Sequence, residues 1–223
     1  MAAACAVVLI GAAPAGAARP KQKPAAKCPP KHSFLMMAGT EAEVYLRPEG
    51  SGPFGFEAEE IFGCVYGHSR VYDLGAPSFG PSGPSGSGGI VPKALHGAIV
   101  AYEASGTRQV LVRNLRNGNV LYEVPTNEAA ANSSLLRSES DGRGPAVSVV
   151  LKTDGSVAWI NEFGLVVNKF GTVHPMEYEV HAVDKNGSRV LGSGTNVDPH
   201  SLALAGSTLY WTQDGSPMST VLN

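Results

Sequence analysis

Six histidines, His32, His68, His96, His174, His181 and His200, are the side chains best suited to metal ligation or proton transfer. None stands in an H-x-H, H-E-x-x-H or C-x-x-C spacing, the patterns by which zinc sites usually show themselves. No D-x-D-x-D run points to calcium, and no G-x-S-x-G turn surrounds a serine. Only a metal site assembled from distant loops would escape this reading. Asp198-Pro199-His200-Ser201 sets acid, base and hydroxyl side by side. Catalytic triads are built from separated segments, so this run reads as a turn leading into a strand. Glycoside hydrolysis needs two carboxyls about 5 to 9 Å apart across the scissile bond. Glu57, Glu59 and Glu60 are the densest acidic group, and beside Gly55 and Phe56 they read as a solvated strand edge. No catalytic, cofactor-binding or metal-binding residue is assigned.

The other chemistry-bearing set is aromatic. Tyr45, Tyr102, Trp159 and Trp211 could stack on the apolar faces of sugars. Each ends the same cassette, a small-residue turn followed by β-formers: Ala42-Glu43-Val44-Tyr45, Ile99-Val100-Ala101-Tyr102, Ser156-Val157-Ala158-Trp159 and Ser207-Thr208-Leu209-Tyr210-Trp211. The rings recur at spacings of about 57, 57 and 52 residues. A repeat of that size is the signature of stacked or radial units, whose repeated residues bury the interface between copies. Packing is therefore the preferred role for these four rings.

Short β-rich runs separated by Gly, Asn and Asp turns lie around every cassette, and no long helical periodicity interrupts them. The first unit holds Phe34–Met37, Val44–Leu46, Ile61–Tyr66 and Arg70–Leu74. The second runs through Ile99–Tyr102, Gln109–Arg113 and Val120–Val124, with Asn117-Gly118 suited to a type I′ hairpin. The third holds Val147–Leu151, Val157–Ile160, Tyr178–Val183 and Arg189–Leu191; the fourth ends after three runs. The predicted fold is all-β, a propeller-like array of about four antiparallel four-stranded blades with the last incomplete. A β-sandwich is the competing architecture. Ring closure, and completion of the last blade by a strand from near the amino terminus, are left open.

Three segments read as loops: Gly75–Gly89, Thr126–Gly144 with one short helical turn at Glu128–Leu136, and Glu162–Met176. The last lies inside the third unit and carries apolar residues. Phe163, Leu165, Phe170 and His174 are its candidate rim-binding residues, because inserted loops on a rigid scaffold are where binding surfaces arise.

Residues 1–18 read as a signal peptide, with an apolar stretch around Val7-Val8-Leu9-Ile10, a break at Pro14 and an A-x-A site cleaved near Ala17 or Ala18. That stretch is shorter than the about 20 residues of a membrane span. Residues 19–31 read as a basic, Pro-rich tether and 32–223 as the β domain. Cleavage would remove Cys5 and leave Cys28 and Cys64, which an exported protein is expected to join in a disulfide. The net charge of −2, with 16% charged residues, provides no field for nucleic acid or an anionic membrane.

The segment Tyr178-Glu179-Val180-His181-Ala182-Val183-Asp184-Lys185-Asn186-Gly187, the run Ser201–Trp211 and Phe62-Gly63-Cys64-Val65-Tyr66 resemble secreted propeller-like repeat proteins of actinobacteria, distantly similar to the TolB-type repeat. The resemblance implies a propeller fold and an exported protein, and carries no catalytic residue. Thr153–Trp159 also resembles the Asp-box turn of sialidase-like propellers, but Asp154 adjoins Gly155 and the spacing differs. The expected role is a secreted, non-catalytic binding or structural module whose partner is an envelope or extracellular protein or a glycan, with no cofactor. The alternative is a polysaccharide hydrolase or lyase with a loop-built rim site.

Overall fold

Alternation of β-branched and aromatic residues with turn formers produces fifteen strands in the computed structural model, which describes residues 28–51, 57–77, 89–126, 143–163 and 176–223. The first sheet contains β1 (Phe34–Ala38), β2 (Ala42–Ser51), β3 (Glu57–Val65) and β4 (Val71–Gly75). The second contains β5 (Ile90–His96), β6 (Ile99–Ala104), β7 (Gln109–Asn114) and β8 (Val120–Pro125). The third contains β9 (Arg143–Leu151), β10 (Val157–Phe163), β11 (Glu177–Asp184) and β12 (Gly187–Gly194). The fourth has three strands, β13 (Ala203–Ala205), β14 (Thr208–Gln213) and β15 (Ser216–Val221). All neighbours are antiparallel and follow chain order. Four successive sheets, in place of the two of a sandwich, make the chain an all-β, propeller-like array with an incomplete last sheet. Residues 1–27, holding the expected signal peptide and most of the tether, lie outside the described residues, as does the helical turn expected at 128–136.

Each sheet is too thin to shelter its own apolar residues, so it leans on the next. Val44 and Ile61 of the first sheet pack with Val100 and Tyr102 of the second. Ala101 and Val112, on the opposite face of the second, pack with Val157 and Trp159 of the third. Ala158 and Ile160, on the third sheet's other face, meet Leu209 and Trp211 of the fourth. The repeated aromatics occupy matching places. Tyr45, Tyr102, Trp159 and Trp211 all sit on the second strand of their sheet, each no more than 4% exposed. Three of the rings face the preceding sheet. Tyr45 points the same way and is covered instead, with Phe62 and Cys64, by the segment bearing Cys28. Burying one such side chain stabilises by about 1.5–3 kcal/mol. At the two ends of the array, Phe34 and Leu35 on β1 and Val221 on β15 stay at least half exposed.

The meander fixes which connections share a rim. The first-to-second and third-to-fourth strand connections fall at one end of the array and are tight turns. The second-to-third and fourth-to-first connections fall at the other end, where residues 52–56, 78–88, 127–142 and 164–175 are inserted. The expected type I′ turn at Asn117-Gly118 does not form. Only Gly118 has a positive φ (81°), while the Asn117 side chain accepts the Asn119 N–H at 2.9 Å in an Asx turn. A Cβ at residue 118 would also collide with the Tyr72 ring of the first sheet. Paired positive φ angles occur at Asp214 (53°) and Gly215 (68°), in the two-residue connection from β14 to β15.

The last residues are tied to the third sheet. Asp184 accepts both arms of the Arg189 guanidinium, at 2.9 and 2.8 Å, and the backbone N–H groups of Asn186 and Asn223, at 2.9 and 2.8 Å. Ser156 Oγ donates to the Asn223 carbonyl at 2.7 Å, and Lys152 Nζ to the Leu222 carbonyl at 2.8 Å. Leu222 is fully buried between these sheets.

Candidate functional site

Beneath the rim with the longer connections, the interface between the second and third sheets changes from apolar to polar. Antiparallel register puts Trp159 opposite His181 and Asn161 opposite Glu179, so the period of two aims all four side chains at the second sheet. Trp159 Nε1 donates to the Thr126 carbonyl at 3.0 Å, and its indole stacks on the His181 ring with centroids 4.9 Å apart. His181 Nε2 lies 2.9 Å from Glu179 Oε2. With the Asn161 amide nitrogen facing inward, it stands 3.0 Å from the Thr126 carbonyl, 3.0 Å from His181 Nε2 and 3.3 Å from the Glu179 carbonyl. His181 Nε2 therefore faces both the Asn161 amide and the Glu179 carboxylate. Among the described residues, His181 Nδ1 and Thr126 Oγ1 are buried with no hydrogen-bond partner.

A second buried carboxylate closes the same interface. Glu103 Oε2 accepts from Lys93 Nζ and from the backbone N–H of Ala146, both at 3.1 Å, and Arg108 stands 4.0 Å from Oε1. Lys93 Nζ also donates to the Ala146 carbonyl at 2.7 Å. Ala146 is the register partner of Asn161, so both polar groups meet on β9. Glu103, Glu179 and His181 are each no more than 3% exposed. Each is engaged by the partners named, which tie β6, β9, β10 and β11 together near the strand ends.

Cys28 and Cys64 are joined, with Cα atoms 6.0 Å apart, inside the range a bridge requires. Phe163 pairs through its backbone with Arg143 and Glu177 at the end of β10. Its side chain, and Leu165, Phe170 and His174 entirely, lie outside the described residues. Asp198–Ser201 is a turn: the His200 N–H donates to Asp198 Oδ1 at 3.0 Å and Ser201 Oγ to the Asp198 carbonyl at 2.7 Å. Glu57–Glu60 stand on the part of β3 that runs beyond its pairing with β4, which begins at Ile61.

Sequence motifs passed over the Glu179–His181 pair, because no metal or catalytic spacing contains it. The available signal was positional. In Glu179-Val180-His181-Ala182 the polar and apolar residues alternate on a strand whose two faces are both covered, and a polar residue there must find a partner.

Burial against the disulfide pushes the Glu43 carboxyl above the usual carboxylate range, opposed by a hydrogen bond with Tyr66. The Arg189 guanidinium holds Asp184 far below that range. A cleft of about 470 Å³ opens along the inner strands of three sheets, lined by Leu95, His96, Val149, Leu151, Lys152 and Leu204 among others. Lys152 there is already engaged by Asp154 at 3.1 Å. Among the described residues no helix is long and apolar enough to cross a membrane.

No protein-family model and no curated protein matches this chain. Among solved structures it is distantly similar to a Mycobacterium tuberculosis puromycin-hydrolyzing peptidase, with a TM-score of 0.41 and 15% identity. The match covers 85% of this chain and 28% of the peptidase, so this chain spans little more than a quarter of that protein's length. Similarity at this level does not carry the peptidase's activity over.

Proposed function

We propose that this chain is a secreted, non-catalytic binding or structural module of the cell envelope or extracellular space, belonging with the actinobacterial propeller-like proteins distantly similar to the TolB-type repeat. Its contact surface is the rim carrying segments 52–56, 78–88, 127–142 and 164–175, and its partner is an envelope or extracellular protein or a glycan. One observation supports the reading: the longer insertions share a single rim while the opposite rim keeps tight turns. Rigid scaffolds that lengthen loops on one side do so where they meet a partner. The buried polar interface under segments 127–142 and 164–175 gives those loops fixed anchors, which lowers the ordering cost of binding. A polysaccharide hydrolase or lyase would need an acid and a base open to the rim, whereas Glu103 and Glu179 are enclosed and engaged.

The test is a binding screen of the exported protein against soluble glycans, purified cell-wall polymer and solubilised envelope proteins, with product release monitored alongside. Saturable binding without turnover is the expected result. Cleavage products that scale with protein concentration would favour the hydrolase reading instead.

A further inference from the structure

Glu43 is buried against the Cys28–Cys64 bridge, and the bridge has no need of it. Its Oε1 lies 3.4 Å from Cys28 Sγ and 3.8 Å from Cys64 Sγ. A bridged sulfur carries lone pairs and no hydrogen, so three electron-rich atoms converge on one small volume. A buried carboxylate needs a proton, a hydrogen-bond donor or a cation beside it, and neither bridged sulfur supplies one. An apolar residue at position 43 would serve the covered face of the first sheet, formed by Tyr45, Phe62 and Cys64, without that conflict.

We propose that, once the bridge is reduced, Cys28, Cys64 and Glu43 form a binding site for a divalent cation of the zinc class. Thiolate and carboxylate are zinc donors, at about 2.3 Å for sulfur and about 2.0–2.2 Å for oxygen. A tetrahedral centre with those bond lengths places a sulfur and an oxygen about 3.5 Å apart. Glu43 Oε1 already keeps nearly that spacing to both sulfurs. One donor atom from each of the three residues lies within 4.8 Å of the others. The sulfurs must separate, and Cys28, the less enclosed of the two, is the one to turn. The Tyr66 hydroxyl, hydrogen-bonded to Glu43, is the outer partner that orients the carboxylate. Three protein donors leave a fourth position to water, as in open zinc sites.

The chemistry balances with an external reductant. A water-soluble phosphine attacks one sulfur, the S–S bond breaks, and water supplies the oxygen of the phosphine oxide and the two thiol protons. The cation then displaces those two protons as it binds the thiolates. Bridge and metal require the same sulfurs, so the two states exclude each other.

The experiment titrates phosphine-reduced protein carrying Cys5→Ser, so that Cys28 and Cys64 are its two thiols, with Co²⁺, whose tetrahedral thiolate complexes show charge-transfer and d–d absorption. This reduced parent is expected to take up one equivalent with that spectrum, and oxidised protein none. Cys64→Ser should lose the two-thiolate spectrum, and Glu43→Gln should bind about tenfold more weakly or worse. Circular dichroism follows the fold throughout. If reduction melts the sheets, zinc must restore them in the parent and fail to do so in Cys64→Ser. A reduced protein that binds no cobalt, a melted one that zinc does not restore, or a Glu43→Gln variant equal to the parent would overturn the proposal.

Discussion

The Trp159 indole lies flat on the His181 imidazole, with ring centroids 4.9 Å apart and planes 4° from parallel. One side chain closes the interface between the second and third sheets; the other carries the buried hydrogen bond to Glu179. Trp159→Ala is expected to cost about 3–5 kcal/mol, measured by urea unfolding. Trp159→Phe, which keeps a ring but drops the bond to Thr126, should cost less, and its cost includes about 0.5–1.5 kcal/mol for that bond. Equal costs for the two variants would contradict the packing role.

Glu179 and His181 should behave as a unit. Removing either one leaves the other buried without its partner, at about 3–5 kcal/mol if the survivor stays charged. Replacing both by leucine removes the unmet demand. The double variant is therefore expected to be more stable than the sum of the singles predicts, by about 0.5–3 kcal/mol in a double-mutant cycle. Strict additivity would show that the contact carries no coupling.

Asp184 predicts an acid-side loss of stability. Its folded pKa is depressed, first by the Arg189 guanidinium and further by the N–H groups of Asn223 and Asn186. A depressed carboxyl contributes stability that is complete above its unfolded pKa, about 3.9, and drains away as pH falls toward the folded value. Urea midpoints should hold level from neutral pH down to about pH 5 and then fall. Asp184→Asn should be less stable at neutral pH and show a shallower decline. An identical decline in the variant would assign the acid sensitivity elsewhere.

Export and bridging make a paired prediction. Mass spectrometry of the exported chain should place its first residue near Ala18 or Arg19. Thiol labelling of that chain, unfolded but unreduced, should find no free cysteine, since Cys28 and Cys64 are joined across a separation of 36 residues. Reduction should cost up to about 4 kcal/mol for a loop of this length. Typical domain stabilities of about 5–15 kcal/mol leave room for a reduced protein that still folds.

Much of this architecture was legible because it repeats. The rings at 45, 102, 159 and 211 share a period, and a period forces equivalent burial, so strand order, packing role and the incomplete last sheet could be read together. The Cys28–Cys64 pairing followed from parity once Cys5 was assigned to the signal peptide. The polar interface was not legible, since Glu103, Asn161, Glu179 and His181 stand on three strands that only the register brings together. The turn at Asn117-Gly118 was misread for a related reason: its five-residue connection lets Asn117 bond its own backbone, and dipeptide identity does not disclose connection length. Segment 164–175, with Leu165, Phe170 and His174, remains a sequence-level expectation.

That segment is where the rim proposal is most exposed to test. Residues 164–175 would be replaced by a Gly-Ser linker of equal length, and binding to the glycan, polymer or envelope protein retained by the wild type would be measured by calorimetry. The proposal predicts at least tenfold weaker binding with unchanged sheet content and unfolding midpoint. Full affinity in that variant, with loss of binding when the tight turn at 152–156 is altered instead, would place the contact surface on the opposite rim and contradict it.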